Sequence, residues 1–452
     1  MRASLSSLAL AAGLTLVAQA ACAQTLAITH AHIFTVGPKG EIASGTVVIS
    51  NGRIVSVASG AAIPAGAQVI DAEGQILTPG LVAADSGLGL QEVGALGGDQ
   101  TVSGGEIGAA FDVSPGVDRD STAIPVARLG GLTAAVASPA PSGGGEGQDQ
   151  DEIVKETAGA GAPAGSTGRA LFAGQAAVIT LDAERTDPIL QSRVAQVSPL
   201  GGLGAKIAGG ARGADYVALK AAFEDVRWYM KNRAAYDRRQ ARALTLSRAD
   251  LEALVPVVEG RQPLVLQADR AADIRQALKL AREEHLRVII DGGAEAWRLA
   301  DEVAAAHTPV ILDPLQDLPD NFETLGSTLE NAGRLSAAGV PVIIRAAEGG
   351  VHRVRETRYD AGNAVAHGMK WEAALEAVTI NPARAFGVGD RIGSIEPGKA
   401  ADLVLWSGDP FEPSSQPVAV IINGHRQPMT SRQIELQRRY HDLQPGYPPQ
   451  YH

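Results

Sequence analysis

Between residues 264 and 344 the chain repeats one arrangement, a short and wholly apolar run followed by a stretch of helical pattern. The runs are Leu264-Val265-Leu266, Val288-Ile289-Ile290, Val310-Ile311-Leu312 and Val340-Pro341-Val342-Ile343-Ile344. Helical patterns fill Ala271 to Glu284 and Glu295 to Ala306, and a long polar one runs from Asp215 to Arg242. A strand that is apolar on both faces must be covered on both faces, the condition of a parallel sheet flanked by helices. Several successive units of this length favour closure into a TIM-like (β/α)8 barrel.

Short β-branched runs bounded by Gly, Asn and Pro lie on both sides of that region. Leu26-Ala27-Ile28, Thr46-Val47-Val48-Ile49, Arg53-Ile54-Val55-Ser56-Val57 and Gln68-Val69-Ile70 precede it. Ala401-Asp402-Leu403-Val404-Leu405-Trp406 and Val418-Ala419-Val420-Ile421-Ile422 follow it. They read as strands, with tight hairpin turns at Asn51-Gly52 and Asn423-Gly424. The expected fold is α/β: a barrel at 79–388 inserted in a small β-sandwich domain formed by both chain ends, 24–78 and 389–427. A polar helix and tail occupy 428–452. The Gly-rich stretch around Ser142-Gly143-Gly144-Gly145-Glu146-Gly147 has no periodicity and is expected to be a long mobile loop.

Residues 1–23 read as a secretion signal. Arg2 is a positive n-region, Leu8 to Val17 is an apolar stretch too short to span a membrane, and Ala21-Cys22-Ala23 is a small-residue cleavage site. The expected product is periplasmic or secreted and starts at Gln24. Cys22 is the only cysteine, so cleavage leaves no thiol for disulfides, metal sites or nucleophilic chemistry. A lipid anchor at Cys22 is the competing outcome, and Gln19 fits that pattern poorly. The net charge of -11 disfavours nucleic acid and anionic lipid as partners, and 4% aromatic residues disfavours a stacking surface.

Three segments resemble the amidohydrolase superfamily. "DAEGQILTPGLVAADSGLGL" (71–90) is similar to the family's passage from the small β domain into barrel strand one. "VTINPARAFGVGDRIGSIEPGKAADLVLWSGDPFE" (378–412) is similar to the return into that domain. "DLEALVPVVEGRQPLVLQADRAADIRQALKLAREEHLRVIIDGGAEAWRLADEVA" (250–304) resembles the imidazolonepropionase-like branch. In the β-domain segment, Pro397-Gly398 makes a tight turn and Asn381-Pro382 starts a helix near Ala383, structural features rather than chemical ones.

The resemblance implies one or two divalent metals at the C-terminal mouth of the barrel, polarising water and the scissile carbonyl. It implies a His-x-His after strand one, one His after each of two later strands, and an Asp after strand eight. The matching positions here are Asp85 and Gly87, then Gln267-Ala268-Asp269, then Asp291-Gly292-Gly293, then Arg345-Ala346-Ala347-Glu348. No imidazole remains at any of them. A bridging carboxylated lysine has no assigned counterpart; Lys206 and Lys220 are weak candidates. The candidate mouth residues are therefore Asp85, Gln267, Asp269, Asp291, Glu348 and His352. Asp85, Asp269 and Asp291 are the weak metal candidates, and with Glu348 they form a carboxylate set suited to a hard cation. His30-x-His32 is the one surviving His-x-His, but it lies in the first strand of the β domain. His285 and His307 stand at helix ends, where an imidazolium complements the dipole, and His367 also reads as structural.

These substitutions lead to a divergent family member, exported and with a degenerate metal site. Its expected role is that of a non-catalytic homologue, either partnering an active amidohydrolase or self-associating, with no cofactor. Two other roles stay open. One is a working hydrolase cleaving a C–N bond in an amide, cyclic amide or dipeptide-like substrate, with zinc if the family chemistry survives and the Gly-rich loop as a lid. The other is a periplasmic binding protein for a small amide ligand. An Arg345 or Arg353 guanidinium can take the place of the lost cation beside Asp85, Asp269 or Asp291.

Overall fold

The computed structural model describes residues 25–92, 98–102, 107–141, 170–240, 242–319, 321–346 and 350–441. The expected secretion signal with Cys22, the Gly-rich 142–147 segment and Glu348 lie outside them. Both chain ends build one continuous sheet. Its strands are β1 (Thr25–Phe34), β2 (Glu41–Ser50), β3 (Arg53–Ala58), β4 (Gln68–Asp71) and β5 (Ile76–Pro79), then β14 (Leu403–Trp406), β15 (Pro417–Ile422) and β16 (His425–Arg426). The order is β16-β15-β14-β5-β1-β2-β3, with β4 alongside β1. The two Asn-Gly turns meet at the seam between the halves. Asn51, Gly52, Asn423 and Gly424 all have positive φ, as hairpins of this type demand. A Cβ on Gly52 would fall 2.5 Å from Asn423 Oδ1, so only glycine lets the turns touch.

The strands between form the second sheet: β6 (Leu81–Ser86), β7 (Leu132–Ala137), β8 (Gly174–Thr180), β9 (Ile189–Pro199), β10 (Leu264–Ala268), β11 (Val288–Gly292), β12 (Val310–Leu312) and β13 (Val342–Ile344). They pair in sequence order, and β13 approaches β6 so that the sheet nearly closes. The seam is filled by residues 378–381, through Val82 N–H to Val378 O and Asn381 Nδ2 to Val342 O. One strand departs from the parallel expectation: β8 runs antiparallel to both neighbours. The connection from β8 to β9, residues 181–188, is too short for a crossover and closes a hairpin instead.

The long helical pattern also differs from expectation. It ends at Lys231, because the Asn232 side chain turns back onto Trp228 O, and a separate short helix, Arg233–Asp237, follows. The tail helix forms at Arg432–His441. Among the described residues no helix is long and apolar enough to cross a membrane.

Each apolar triplet splits its side chains in a way that positions the site. Val265, Ile289, Ile311 and Ile343 fill the barrel axis, while Leu264, Leu266, Val288, Ile290, Val310, Leu312, Val342 and Ile344 pack outward with the helices. Side chains alternate along a strand, so the residue two beyond each axial one faces the axis again, one layer higher. Those residues are Gln267, Asp291, Asp313 and Arg345.

Trp406 of β14 is fully buried between the two units; its indole Nε1–H donates to Thr78 Oγ1 of the neighbouring β5 at 2.9 Å, which fixes the ring within the small sheet. Its ring lies over Gly131, where φ is +85° and a Cβ would sit 2.4 Å from Trp406 Cη2. Gly131→Ala combines overpacking with a left-handed penalty and is expected to cost about 2–4 kcal/mol in denaturant unfolding. Gly66→Ala, with φ +80° but open space around it, is expected to cost only about 1 kcal/mol.

Candidate functional site at the barrel mouth

Asp85 reaches the axis by a local irregularity. Its φ is +45°, and the β6–β7 register slips between Ala83 and Ser86. A bulge of this kind re-aims a side chain, here the Asp85 carboxylate, at some cost in backbone strain. Ser86 Oγ–H anchors the distorted strand end to Val136 O at 3.0 Å.

Arg345 comes from the end of β13 and binds that carboxylate. Its Nη1 lies 3.0 Å from Asp85 Oδ2 and 3.6 Å from Asp291 Oδ1. Asp85 and Arg345 are each 19% exposed and Asp291 is 1% exposed, so the pairing is shielded from solvent. Gln267 Nε2 donates weakly to the other Asp291 oxygen at 3.4 Å. Asp291 Oδ1 is buried without a hydrogen bond of its own. Burial, then the adjacent Asp85 carboxylate, push the Asp291 pKa up to about 7, against the pull of Arg345.

Asp313, at the end of β12, is the member of this layer that the sequence reading missed. Burial raises its pKa; the Leu315 N–H it accepts at 2.8 Å, then Arg345 and Arg353, oppose the rise. The signal was present, because Val310-Ile311-Leu312-Asp313 repeats the pattern of Val288-Ile289-Ile290-Asp291. Asp269 lies higher on the rim and does a different job. Its Oδ1 accepts the Ala294 N–H at 3.2 Å, holding the turn after β11, and its charge adds to the field on Asp291.

The other expected residues lie apart. His352 is exposed on the turn Val351–Glu356, and among the described residues no hydrogen bond joins it to the acidic group. Arg353 pairs with Glu356 at 3.0 Å. Lys220 pairs with Glu283 at 2.7 Å, and Lys206 is exposed. His30 and His32 are held by Asp71 and Glu41 on the β-domain surface. His367 Nδ1 meets Asn363 O at a helix end, and His285 caps a helix in left-handed conformation.

The donor chemistry of the mouth does not fit a transition metal. The residues that converge are carboxylates, an amide and a guanidinium, with no imidazole. The place of the second ligand is filled as well: a Cβ on Gly87 would lie 2.5 Å from Gln100 Oε1, and Gln100 Nε2 is itself bonded to Ser138 O. Among the described residues no group of three or more His, Cys, Asp or Glu is arranged to hold a metal ion.

A raised carboxylate pKa has a definite sign in stability. Unfolded Asp loses its proton near pH 3.8, while folded Asp291 keeps it to about 7. The folded state binds more protons across that window, so this group removes stability as pH rises from about 4 to 7. Asp215 and Asp402, raised to about 7 and about 6, act with the same sign. Asp291→Asn is expected to reduce, not abolish, the stability lost between pH 5 and pH 8, by roughly 2 kcal/mol in urea titrations. An unchanged pH dependence would show that Asp291 ionises as freely in the folded chain as in the unfolded one.

A family model described as the amidohydrolase family matches residues 288–427. The crystal structure of an amidohydrolase from Thermotoga maritima MSB8 superposes on 89% of this chain and 99% of its own, with a TM-score of 0.74 at 26% identity. Imidazolonepropionase of Aromatoleum aromaticum is 42% identical over 95 residues, 20% of this chain and 23% of that protein. Urease subunit alpha of Staphylococcus aureus is 33% identical over 127 residues, 28% of this chain and 21% of that protein. The chain thus matches under a quarter of the length of either curated relative, whereas the structural likeness runs through both sheets. Sequence and fold converge on one likeness: residues 288–427 match the amidohydrolase family model, and the fold through both sheets is similar to that of an amidohydrolase.

Proposed function

We propose that this chain is an exported amidohydrolase-fold protein that does not perform metal-dependent hydrolysis, and that Arg345 supplies the positive charge a metal supplies in active members. The family typically binds a divalent metal. The observation that carries the reading is the Arg345 guanidinium, 3.0 Å from Asp85 and 3.6 Å from Asp291. A second cation at that point is repelled by the guanidinium and meets carboxylates that are already neutralised. A guanidinium keeps its proton at any physiological pH and has no open coordination position, so it cannot turn water into hydroxide. The reading of export rests on residues 1–23 alone. In this role the chain would support an active homologue, or associate with itself, through a surface of the intact fold.

Metal analysis and turnover test this directly. The purified protein is expected to carry far less than one zinc, manganese or iron per chain. It is expected to hydrolyse no amide, cyclic amide or dipeptide-like substrate in a chelator-sensitive way, even with added metal. Stoichiometric metal together with turnover that chelation abolishes would overturn the proposal. Arg345→Met leaves two adjacent carboxylates without their cation and is expected to bind zinc at least about tenfold more tightly than the parent chain, a difference of about 1.4 kcal/mol.

A further inference from the structure

The opposite end of the barrel holds a second recess, unrelated to the charged rim and independent of the function proposed for it. The segments that lead into β10, β11, β12 and β13 border a groove of about 750 Å³. The volume is within the range of small-molecule sites. Its walls are apolar, with Leu278 and Leu286 from the helix Ala271–Glu284 and its end, Ile289 at the barrel floor, and Pro309 and Pro341 before the strands.

Arg282, Arg287 and Arg384 stand on the lining of this groove, all three exposed. Among the described residues none of the three guanidinium groups makes an ion pair or a side-chain hydrogen bond. The lining carboxylate, Glu302, is taken by Arg275 at 3.2 Å. His307 adds a fourth nitrogen base. In a chain of net charge -11, this is a local reversal of sign set around an apolar trough. A guanidinium fork matches a carboxylate in two parallel hydrogen bonds, and apolar walls favour a hydrocarbon body over water.

We propose that this groove binds a small amphiphilic organic acid, one carboxylate on an alkyl or aromatic body, held by Arg287 and Arg384 with its apolar part along Leu278 and Leu286. β11, five residues long, separates the groove from the acidic rim by roughly 15 Å at the usual rise per residue. The N-terminal face of a barrel serves stability rather than chemistry, so the ligand acts on stability or association and not on turnover.

Decanoate below its micelle concentration is the probe, with decanol and decyltrimethylammonium as uncharged and cationic controls, titrated calorimetrically into the full chain. Saturable one-to-one binding of decanoate is expected, with a dissociation constant of roughly tens of micromolar and a raised melting temperature. Arg287→Gln with Arg384→Gln is expected to weaken it at least tenfold, and Ala305→Trp, which fills the exposed edge of the groove, to do the same with both arginines intact. Asp85→Asn, at the other face, is expected to leave binding unchanged. Three results would overturn the proposal: no saturable binding up to millimolar decanoate, equal binding of either control, or decanoate affinity that follows Asp85→Asn rather than the arginine pair.

Discussion

Two carboxylates brought together out of water repel one another, and burial of an ionised group costs several kcal/mol unless a counter-charge is supplied. The mouth of this barrel creates that problem with Asp85 and Asp291 and answers it with the Arg345 guanidinium. Its three members come from β6, β11 and β13, strands distant in the chain, so the pairing exists only while the barrel is nearly closed. The seam residues 378–381 thereby become part of the site's support, because they hold the β6 and β13 edges together. Trp406 and Gly131 act one step further out, where the indole ring of the small sheet packs against the barrel at Gly131.

The geometry of the rim follows from strand parity. Once Ile289 and Ile343 are committed to the axis, Asp291 and Arg345 have no other direction to face. Asp85 is the exception. Ala84 faces inward, so regular alternation would send residue 85 outward, and only the positive φ and the register slip bring its carboxylate to the guanidinium. Strain of this kind persists where surrounding contacts over-determine it. Here those contacts are the Ser86 anchor to Val136 O and the Arg345 ion pair.

Features written in short-range pattern were legible from sequence. The apolar triplets, the Asn-Gly turns, the helix Ala271–Glu284 and the short strands at both chain ends all depend on neighbours within a few residues. The reversal of β8 was not legible, since it depends on a hairpin between strands whose sequences, Gly174–Thr180 and Ile189–Pro199, carry no mark of direction. The end of the long helix at Lys231 depends on one side-chain bond from Asn232. At the mouth, Asp85 and Asp291 were legible because the family resemblance fixed their positions. A guanidinium beside them followed from charge balance, but choosing Arg345 over Arg353 required coordinates. Asp313 was legible by strand parity alone, since it stands after Val310-Ile311-Leu312 as Asp291 stands after Val288-Ile289-Ile290, but the family resemblance does not point to it.

The charge balance of the rim also separates a guanidinium from a metal in its effect on proton affinity. A dication beside Asp291 would favour its ionised form strongly and draw its pKa down. One guanidinium, closer to Asp85 than to Asp291, cannot do as much, and the Asp291 pKa is instead driven up by burial and by Asp85. The rim therefore holds one positive charge against more than one carboxylate, and a proton on Asp291 makes up part of the difference near neutral pH. A tethered guanidinium thus supplies part of the positive charge that the mouth's carboxylates call for, and it stays singly charged and fixed in place.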